Sequence, residues 1–483
     1  MKESEFYTHL VSEFGHQPTL KQNLALQLLA KFIIDKEQKS IFVLKGYAGT
    51  GKTTIISTLV KNISKSRQRI VLCAPTGRAA KVISSYSKRP AHTVHRKIYF
   101  PKKKSGGGIE FVLQENKHKN TIFIVDEASM IPDFPQGADL LKSSSVLDDL
   151  IDYVYAGENC KLIFIGDTAQ LPPVNAELSP ALSEHTLSTH FQMDVKTIEL
   201  DEVLRQQQES EILYNATYIR QLLNDGEHDQ LKLKISNQAD VVRLVDGYDI
   251  MNAINDSFDN LGHEETAIIV RSNKRANLYN QQIRSRILFR EDEIAAGDYL
   301  MVVKNNYFWL KSSSEASFIA NGDIVEILEI FSIKELYGFR FAEVRVQMVD
   351  YPEMDAFETV IVLDTLDTNG PALSYEQTNA LYQAVMEDYA SEKSKYKKYL
   401  KLKKNKFFNA LQVKFSYAMT CHKSQGGQWH TVFVEQPYLK EGVNEDYLRW
   451  LYTAFTRAKE RLYLIGFKDE YFDEDAHNQQ DEN

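Results

Sequence analysis

The feature that most constrains the fold of this chain is the stretch from residue 40 to residue 60. Four apolar residues, Ile41 to Leu44, predict a buried strand, and the sequence GYAGTGKT follows at residues 46–53. Apolar residues then recur at helical spacing, at Ile55, Ile56, Leu59 and Val60. A strand, a glycine-rich loop ending in Gly-Lys-Thr and a helix form a P-loop, whose backbone amides bind phosphate at a helix N-terminus. The stretch therefore predicts a nucleoside-triphosphate site on an α/β sheet.

Within this loop, the side chains have separate expected roles. Lys52 is expected to reach the β- and γ-phosphates, and the Thr53 hydroxyl to bind Mg²⁺. The residues expected to surround the nucleotide are Gly46, Ala48, Gly49, Thr50, Gly51, Lys52, Thr53 and Thr54.

Two further apolar runs end in polar residues of the kind that ATP hydrolysis requires. The sequence TIFIVDEAS at 121–129 ends a predicted strand in two carboxylates, so Asp126 is expected to hold Mg²⁺ and Glu127 to polarise the attacking water. The sequence KLIFIGDTAQLPP at 161–173 ends in a loop whose Gln170 is positioned to sense the γ-phosphate.

Three other segments leave functional and purely structural interpretations open. Gln22, on a predicted helix before the P-loop strand, suits the adenine edge, although such a glutamine taken alone is more often a surface residue. The loop at 75–81 either meets a phosphate chain or is an ordinary turn with solvated charges. Residues 92–119 predict an inserted hairpin with Tyr99 and Phe100 on its flank, which suits a wedge or nucleic-acid clamp and equally a plain solvated hairpin.

The second half of the chain repeats the α/β pattern around a different insert. A new strand-loop-helix unit begins at residue 266, and short strands separated by turns at 298–363 predict a small barrel or sandwich. A helical stretch at 375–408 carries a lysine-rich run from Lys393 to Lys406, which is either a nucleic-acid patch or a solvated helix face. The α/β pattern returns before the strand at 431–434 and ends in a terminal strand at 462–465.

Composition excludes some classes of protein. A chain of 483 residues predicts two to four domains, and a net charge of −9 argues against a passive, charge-driven nucleic-acid binder while leaving room for a locally basic channel. The three cysteines are far apart in the sequence and form no C-x-x-C pair, so neither a zinc site nor a disulfide framework is implied, which fits a reducing cytoplasm. No signal peptide and no apolar run long enough to span a bilayer occurs in the sequence, so we expect a cytoplasmic protein without a membrane partner.

The order of these motifs resembles that of superfamily 1 helicases. Residues 17–466 carry, in sequence, segments similar to the family's motifs: PTLKQ, GYAGTGKTT, APTGRAAK, HTVH, IVDEAS, IGDTAQLPP, VLRQ, MTCHKSQGGQ and LYTAFTRAK. The residues of these motifs are most similar to those of the 1B branch, the RecD-like and phage Dda-like enzymes that move 5′ to 3′ on single-stranded DNA.

The resemblance implies an α/β fold with two RecA-like parallel-sheet motor domains. It implies a first domain at 1–200 with a pin hairpin at 92–119. The second motor domain is expected at 201–290 and 411–468, interrupted at 291–410 by an SH3-like β-barrel and a helical insert. An acidic tail at 469–483 completes the chain.

The resemblance also implies residue roles. Gln22 would recognise adenine, Gly427 would line the nucleotide site, and catalysis would rest on Lys52, Glu127, Gln170, Arg205 and Arg457, the two arginines acting from the far side of a cleft. Pro75, Thr76, His92, Thr93, His95, His422, Ser424 and Gln425 would face DNA, with Tyr99 or Phe100 as the wedge of the pin.

We therefore predict an ATP-dependent 5′-to-3′ DNA helicase or translocase. Its cofactors would be ATP and Mg²⁺, and its partners single-stranded DNA and single-strand/duplex junctions; protein partners are not specified by the motifs. Two alternatives remain: an RNA or RNA–DNA helicase of the same superfamily, because the motor contacts are mainly to the backbone, and a P-loop switch without unwinding activity.

Overall fold

A computed structural model describes residues 2–35, 37, 39–103, 109–133, 145–174, 176, 179–202, 210–228, 230–236, 240–310 and 318–473, with the side chains of 101–103, 109–111 and 395 left aside. Arg205, the tip of the predicted pin and most of the predicted acidic tail lie outside these ranges.

The first domain is built on six parallel strands. The strands of this half of the chain are β1 (Ser40–Gly46), β2 (Arg69–Ala74), β3 (Ala91–Thr93), β4 (Tyr99–Lys103), β5 (Ile109–Leu113), β6 (Lys119–Val125), β7 (Glu158–Gly166) and β8 (Asp194–Leu200). The sheet order is β3-β2-β6-β7-β1-β8. All neighbours are parallel, so the polar loops after β1, β2, β6 and β7 meet at one edge of the sheet.

Helices cover both faces of this sheet because its strands are apolar on both sides. The helices are α1 (Glu3–Ser12), α2 (Leu20–Ile34), α3 (Lys52–Asn62), α4 (Gly77–Ser87), α5 (Val94–Ile98), α6 (Val146–Tyr155) and α7 (Glu184–Thr189). One core places Phe42 and Leu44 of β1 with Leu29 and Leu59 of α2 and α3. The other core lies on the opposite face, where Phe164 packs with residues of α6.

The predicted hairpin is shorter than 92–119. β4 and β5 pair antiparallel from Tyr99 to Leu113. Residues 91–93 form instead the edge strand β3 of the main sheet, with Leu72 of β2 opposite Ala91, and Val94–Ile98 form the short helix α5. Val94 and Ile98 are buried and four positions apart, a helical spacing that the hairpin prediction did not take into account.

The second motor domain has a five-stranded parallel sheet. Its elements are α8 (Glu211–Asp225), β9 (Val241–Leu244), α9 (Gly247–Leu261), β10 (Thr266–Val270) and α10 (Asn273–Gln282), then, after the insert, β16 (Ala418–Thr420), α14 (Cys421–Ser424), β17 (Trp429–Glu435), α15 (Glu445–Phe455) and β18 (Ala458–Ile465). The sheet order is β16-β10-β17-β18-β9. The prediction of two RecA-like parallel-sheet domains is confirmed.

The insert is a closed barrel with a helical extension. The barrel strands are β11 (Tyr299–Val302), β12 (Ile324–Leu336), β13 (Phe339–Met348), β14 (Phe357–Val362) and β15 (Leu411–Phe415), and the helices α11 (Asp364–Asp367), α12 (Tyr375–Glu387) and α13 (Lys395–Lys404) lie between β14 and β15. The predicted boundary at residue 411 is wrong: β15 closes the barrel by pairing with β11 and β14, and the second sheet resumes only at Ala418.

No helix in the described ranges is long and apolar enough to cross a membrane.

Candidate active site and nucleic-acid interface

A cavity of about 630 Å³ lies between the two parallel sheets. The first domain contributes the P-loop and the loops after β6 and β7, and the second contributes α8, the loop after α14 and the end of α15. Of the predicted nucleotide and catalytic residues, the cavity wall contains Ala48, Gly49, Gly51, Lys52, Thr53, Thr54, Asp126, Glu127, Gln170 and Arg457. Residues that are up to about 400 positions apart in the sequence therefore line one cavity.

The P-loop backbone depends on its glycines. Gly49 and Gly51 have φ of +75° and +87°, a left-handed conformation that disfavours side chains. A Cβ on Gly46 would lie 2.9 Å from Thr50 Oγ1 and 3.1 Å from Leu200 Cβ. Lys52 Nζ donates to the carbonyls of Gly46 and Tyr47, at 2.6 and 2.8 Å, which places the ammonium over the loop.

Asp126 and Glu127 directly follow β6 as a half-buried carboxylate pair. Burial raises the pKa of both carboxyls; Tyr86 and the amide of Glu127 counter this for Asp126, and Arg457 counters it for Glu127. Tyr86 Oη donates to Asp126 Oδ2 at 2.7 Å, and Glu127 N donates to Oδ1 at 2.9 Å. The Asp126 carboxylate and the Thr53 hydroxyl line the same cavity. Such a donor set fits Mg²⁺, which uses one or two protein oxygens together with substrate phosphates.

The loop after β7 carries a buried acceptor and a link across the cleft. Gln170 Oε1 is buried and has no hydrogen-bond partner within the described ranges. Nearby, Asp167 Oδ2 accepts from Tyr452 Oη at 2.6 Å, and Tyr452 Oη accepts from Ala48 N at 3.0 Å. Tyr452 lies on α15, so its hydroxyl connects the P-loop and the β7 loop of one domain through a residue of the other. Sequence reasoning missed Tyr452 and Asp167, although both lie inside quoted motifs.

Arg457 reaches the cleft from the second domain. Its guanidinium is buried and donates to the carbonyls of Thr453 and Gly427, at 3.0 and 3.2 Å. Gly427 is required sterically, because a Cβ there would lie 2.6 Å from Trp429 and 2.7 Å from Arg78. Gly427 thus positions Arg457 rather than lining the cavity, whose wall contains its neighbours Gly426 and Gln428.

Gln22 lies beneath the P-loop. Its Nε2 donates to Thr50 O at 3.1 Å, its Oε1 accepts from Thr19 N at 3.1 Å, and the residue is buried. Recognition of adenine by Gln22 stays a prediction.

A second cavity, of about 660 Å³, runs between both motor domains and the barrel; we call it the channel. Its wall contains six of the residues predicted to face DNA: Pro75, Thr76, Thr93, His95, His422 and Gln425. The other four lie elsewhere. Ser424 is fully buried and donates to Cys421 O at 2.8 Å, and Tyr99 Oη donates to Asp149 at 2.6 Å. His92 and Phe100 are exposed outside the channel.

The channel also contains basic and aromatic residues that the motifs did not identify. Arg271 and Lys423 come from the second motor domain, and Asn305 and Phe318 come from the barrel insert. Burial lowers the pKa of Lys423 to about 8. The barrel residues were missed because a strand pattern does not reveal which barrel loop faces the motor domains.

One ion pair fixes the barrel against the first domain. Arg96 of α5 donates to Phe318 O at 2.8 Å and lies 3.4 Å from Asp323 Oδ2. The Asp323 carboxyl also accepts from Ala320 N at 2.7 Å, and burial raises its pKa to about 7. Arg96 further stacks over Phe318 and Tyr351, at 5.1 and 4.8 Å from the ring centroids.

Two family models match the chain in the places where the two sheets lie. A model described as AAA domain matches residues 27–247, and one described as UvrD-like helicase C-terminal domain matches residues 415–465. Fold and site thus define a P-loop NTPase with two RecA-like domains that share one nucleotide cleft. Within this class, the two family models and the similar proteins described below support a superfamily 1B helicase.

Similar proteins extend over almost the whole chain. The uncharacterized protein R530 of Acanthamoeba polyphaga mimivirus is 26% identical and covers 92% of this chain and 98% of its own. The ATP-dependent DNA helicase dda of Enterobacteria phage T4 is 24% identical, with coverage of 92% and 98%. A crystal structure of Pif1 helicase from Bacteroides in complex with ADP-AlF3 and ssDNA is 17% identical, with a TM-score of 0.43 and coverage of 96% and 97%.

Proposed function

We propose that this chain is an ATP-dependent helicase that translocates 5′ to 3′ on single-stranded DNA and unwinds duplexes. The substrates are ATP and a DNA strand, bound in the cleft and in the channel. The Dda protein of phage T4, which is similar over 92% of this chain, bears the name of an ATP-dependent DNA helicase. The direction rests on the resemblance of the motifs to the 1B branch.

The observation that carries this proposal is a short path of hydrogen bonds between the two cavities. Leu171 follows Gln170, which lines the nucleotide cleft. Leu171 N donates to Thr453 Oγ1 at 2.8 Å, and Leu171 O accepts from Gln425 Nε2 at 2.7 Å. Gln425 lines the channel. A change at the γ-phosphate that shifts Gln170 therefore acts on a residue that faces the strand.

Each side chain of the cleft has a defined part in hydrolysis. Lys52 and the P-loop amides hold the phosphates, Glu127 orients and deprotonates the attacking water, and Arg457 neutralises charge on the transferred group. The raised pKa of Glu127 favours proton acceptance by this carboxylate. Mg²⁺, held by Asp126 and Thr53 with the phosphates, supplies charge neutralisation when bound. An arginine from the opposite domain makes fast hydrolysis depend on closure of the cleft, because such a residue contributes about 10³–10⁵ in rate.

The strand is gripped mainly through its backbone. Helix N-termini carry the channel residues Thr76 and Thr93, whose hydroxyls cap α4 and α5, and Lys423 and Arg271 add positive charge. Such contacts tolerate any base sequence, as translocation requires.

The proposal is tested by ATPase assays with DNA and RNA homopolymers and by displacement of streptavidin from end-biotinylated single strands. We expect stimulation by DNA and ATP-dependent displacement from the 3′ end only. Stimulation by RNA alone would favour the RNA-helicase alternative. Hydrolysis that no nucleic acid stimulates would favour a P-loop switch.

A further inference from the structure

A third cavity, of about 540 Å³, lies between the barrel and its helical extension; we call it the insert pocket. The barrel side contributes Tyr307, Phe308 and Gln412, and the extension contributes Tyr396, Leu400 and Phe408. Two of the aromatic rings remain accessible, since Phe308 is 36% exposed and Tyr396 is 49% exposed. The pocket thus presents flat apolar surfaces that the fold itself does not cover.

The charge around these rings has one sign. Lys304, Lys403 and Lys404 lie in the pocket wall, and no aspartate or glutamate among the described residues lines it. Lys304 and Lys404 form no ion pair with any residue in the described ranges. No carboxylate in the described ranges neutralises these two lysines, so the pocket suits an anionic occupant.

A buried amide adds a polar group for recognition. Gln412 is 9% exposed, and its side-chain oxygen accepts from Leu373 N at 3.0 Å. The side-chain nitrogen of Gln412 has no hydrogen-bond partner in the part of the chain that the structure describes. It is available to donate to a carbonyl of an occupant.

The insert pocket lies next to the channel. Asn305 lines both cavities. Phe318 of the channel also contacts Tyr307 of the insert pocket, with ring centroids 4.8 Å apart. The two cavities are therefore neighbours in the described structure, so one strand can be proposed to contact both.

We propose that the insert pocket is a second binding site for single-stranded nucleic acid, in which a base stacks on Tyr396 and Phe308 and the flanking phosphates meet Lys304 and Lys404. Aromatic faces combined with lysines are the chemistry that binds unpaired nucleotides without sequence preference. The site rests on the proposed function, because it extends the strand that the channel holds.

The test measures how affinity depends on strand length. Wild type and the variants Tyr396→Ala and Phe308→Ala are titrated with fluorescent deoxythymidine oligomers of increasing length. We expect the variants to match wild type for short oligomers that fill only the channel. For long oligomers the variants should bind about 5- to 150-fold more weakly, which corresponds to the loss of one stacked base.

Matched controls distinguish the loss of a stacking contact in the insert pocket from a general effect of the substitutions on folding or on DNA binding. Tyr375→Ala removes a tyrosine of the same helical extension that is 85% exposed and lies outside the pocket, and it should follow wild type at every length. Because Tyr396 and Phe308 lie on different elements, a folding defect in one variant leaves the other informative. Variant and wild-type curves that coincide at all lengths would overturn the second site, with an acidic protein segment as the next occupant to examine. A wild type that binds no oligomer would overturn the proposed function itself.

Discussion

The hydroxyl of Tyr452 accepts a hydrogen bond from the backbone amide of Ala48 at 3.0 Å, although the two residues are 404 positions apart. The same hydroxyl donates to Asp167 at 2.6 Å, and burial raises the pKa of Tyr452 well above its ordinary value, so it stays protonated. A residue of the second domain thus contacts the loop that binds phosphate in the first. The cleft is held together at the point where ATP binds.

Tyr452→Phe tests this link, because it keeps the ring and removes both hydrogen bonds. We expect the free energy of unfolding to fall by about 1–3 kcal/mol, since Asp167 and the Ala48 amide lose a buried partner. A non-hydrolysable ATP analogue should reduce this deficit, because its phosphate accepts from the loop amides. Tyr447→Phe, on the same helix but bonded to Gln436, is the control and should show an equal deficit with and without the analogue. Thermal unfolding measures both, and a Tyr452→Phe deficit unaffected by the analogue would contradict the interpretation.

Lys52→Ala should reduce ATP hydrolysis at least about 10²-fold while leaving the fold intact. Among the described residues, the Lys52 ammonium bonds only to carbonyls of its own loop, so we expect its removal to leave the contacts between these elements intact. Lys61→Ala, an exposed lysine at the end of the same helix, should hydrolyse ATP like wild type. Steady-state phosphate release and circular dichroism check this, and retained hydrolysis in Lys52→Ala would refute the site assignment.

DNA affinity should depend on pH through Lys423. Its pKa of about 8 means that the channel loses one positive charge as pH rises through 8. Affinity for single strands should therefore be full near pH 7 and fall up to about tenfold by pH 9, as the protonated fraction falls. Lys423→Arg, which stays charged, should flatten the profile. Fluorescence anisotropy titrations across this pH range measure the affinity. If wild type and Lys423→Arg lose affinity in parallel as pH rises, Lys423 is excluded as a phosphate contact.

Stability should also change with pH through Asp323. Its folded pKa of about 7 lies above the value of about 3.9 for an unfolded aspartate, so the folded state binds the proton more tightly. This contribution to stability is full below about pH 4 and is lost as pH rises through 7. Asp323→Asn cannot titrate, so wild type should lose stability relative to this variant between pH 5 and pH 8. Denaturant midpoints at the two pH values measure the difference, and an unchanged difference would disprove the assignment.

The sequence predicted those parts of the site that lie within single motifs. The P-loop, Asp126 and Glu127 each follow an apolar strand, and parallel strands bring their ends together, so their meeting follows from the pattern. The hydrogen bonds of Tyr452 and Gln425 could not be predicted in this way, because their partners, Ala48 and Leu171, lie in the other domain. The position of Arg205 stays a prediction, since it lies outside the described residues.

The barrel illustrates a second limit. In four of its strands, apolar and polar residues alternate as in any half-buried strand, and these four strands were predicted. The fifth strand, β15, follows the helical extension and was assigned to the second sheet, because only two residues separate it from β16. Only the pairing of β15 with β11 and β14 distinguishes a barrel strand from a sheet strand.

Strand displacement from tailed duplexes tests the central claim most directly. Duplexes with a 5′ tail, a 3′ tail or blunt ends are incubated with the protein, with and without ATP and Mg²⁺. Coupling of hydrolysis to 5′-to-3′ stepping predicts ATP-dependent separation of the 5′-tailed duplex alone, and its loss in Lys52→Ala. Separation from the 3′ tail only, or separation without ATP, would contradict the account.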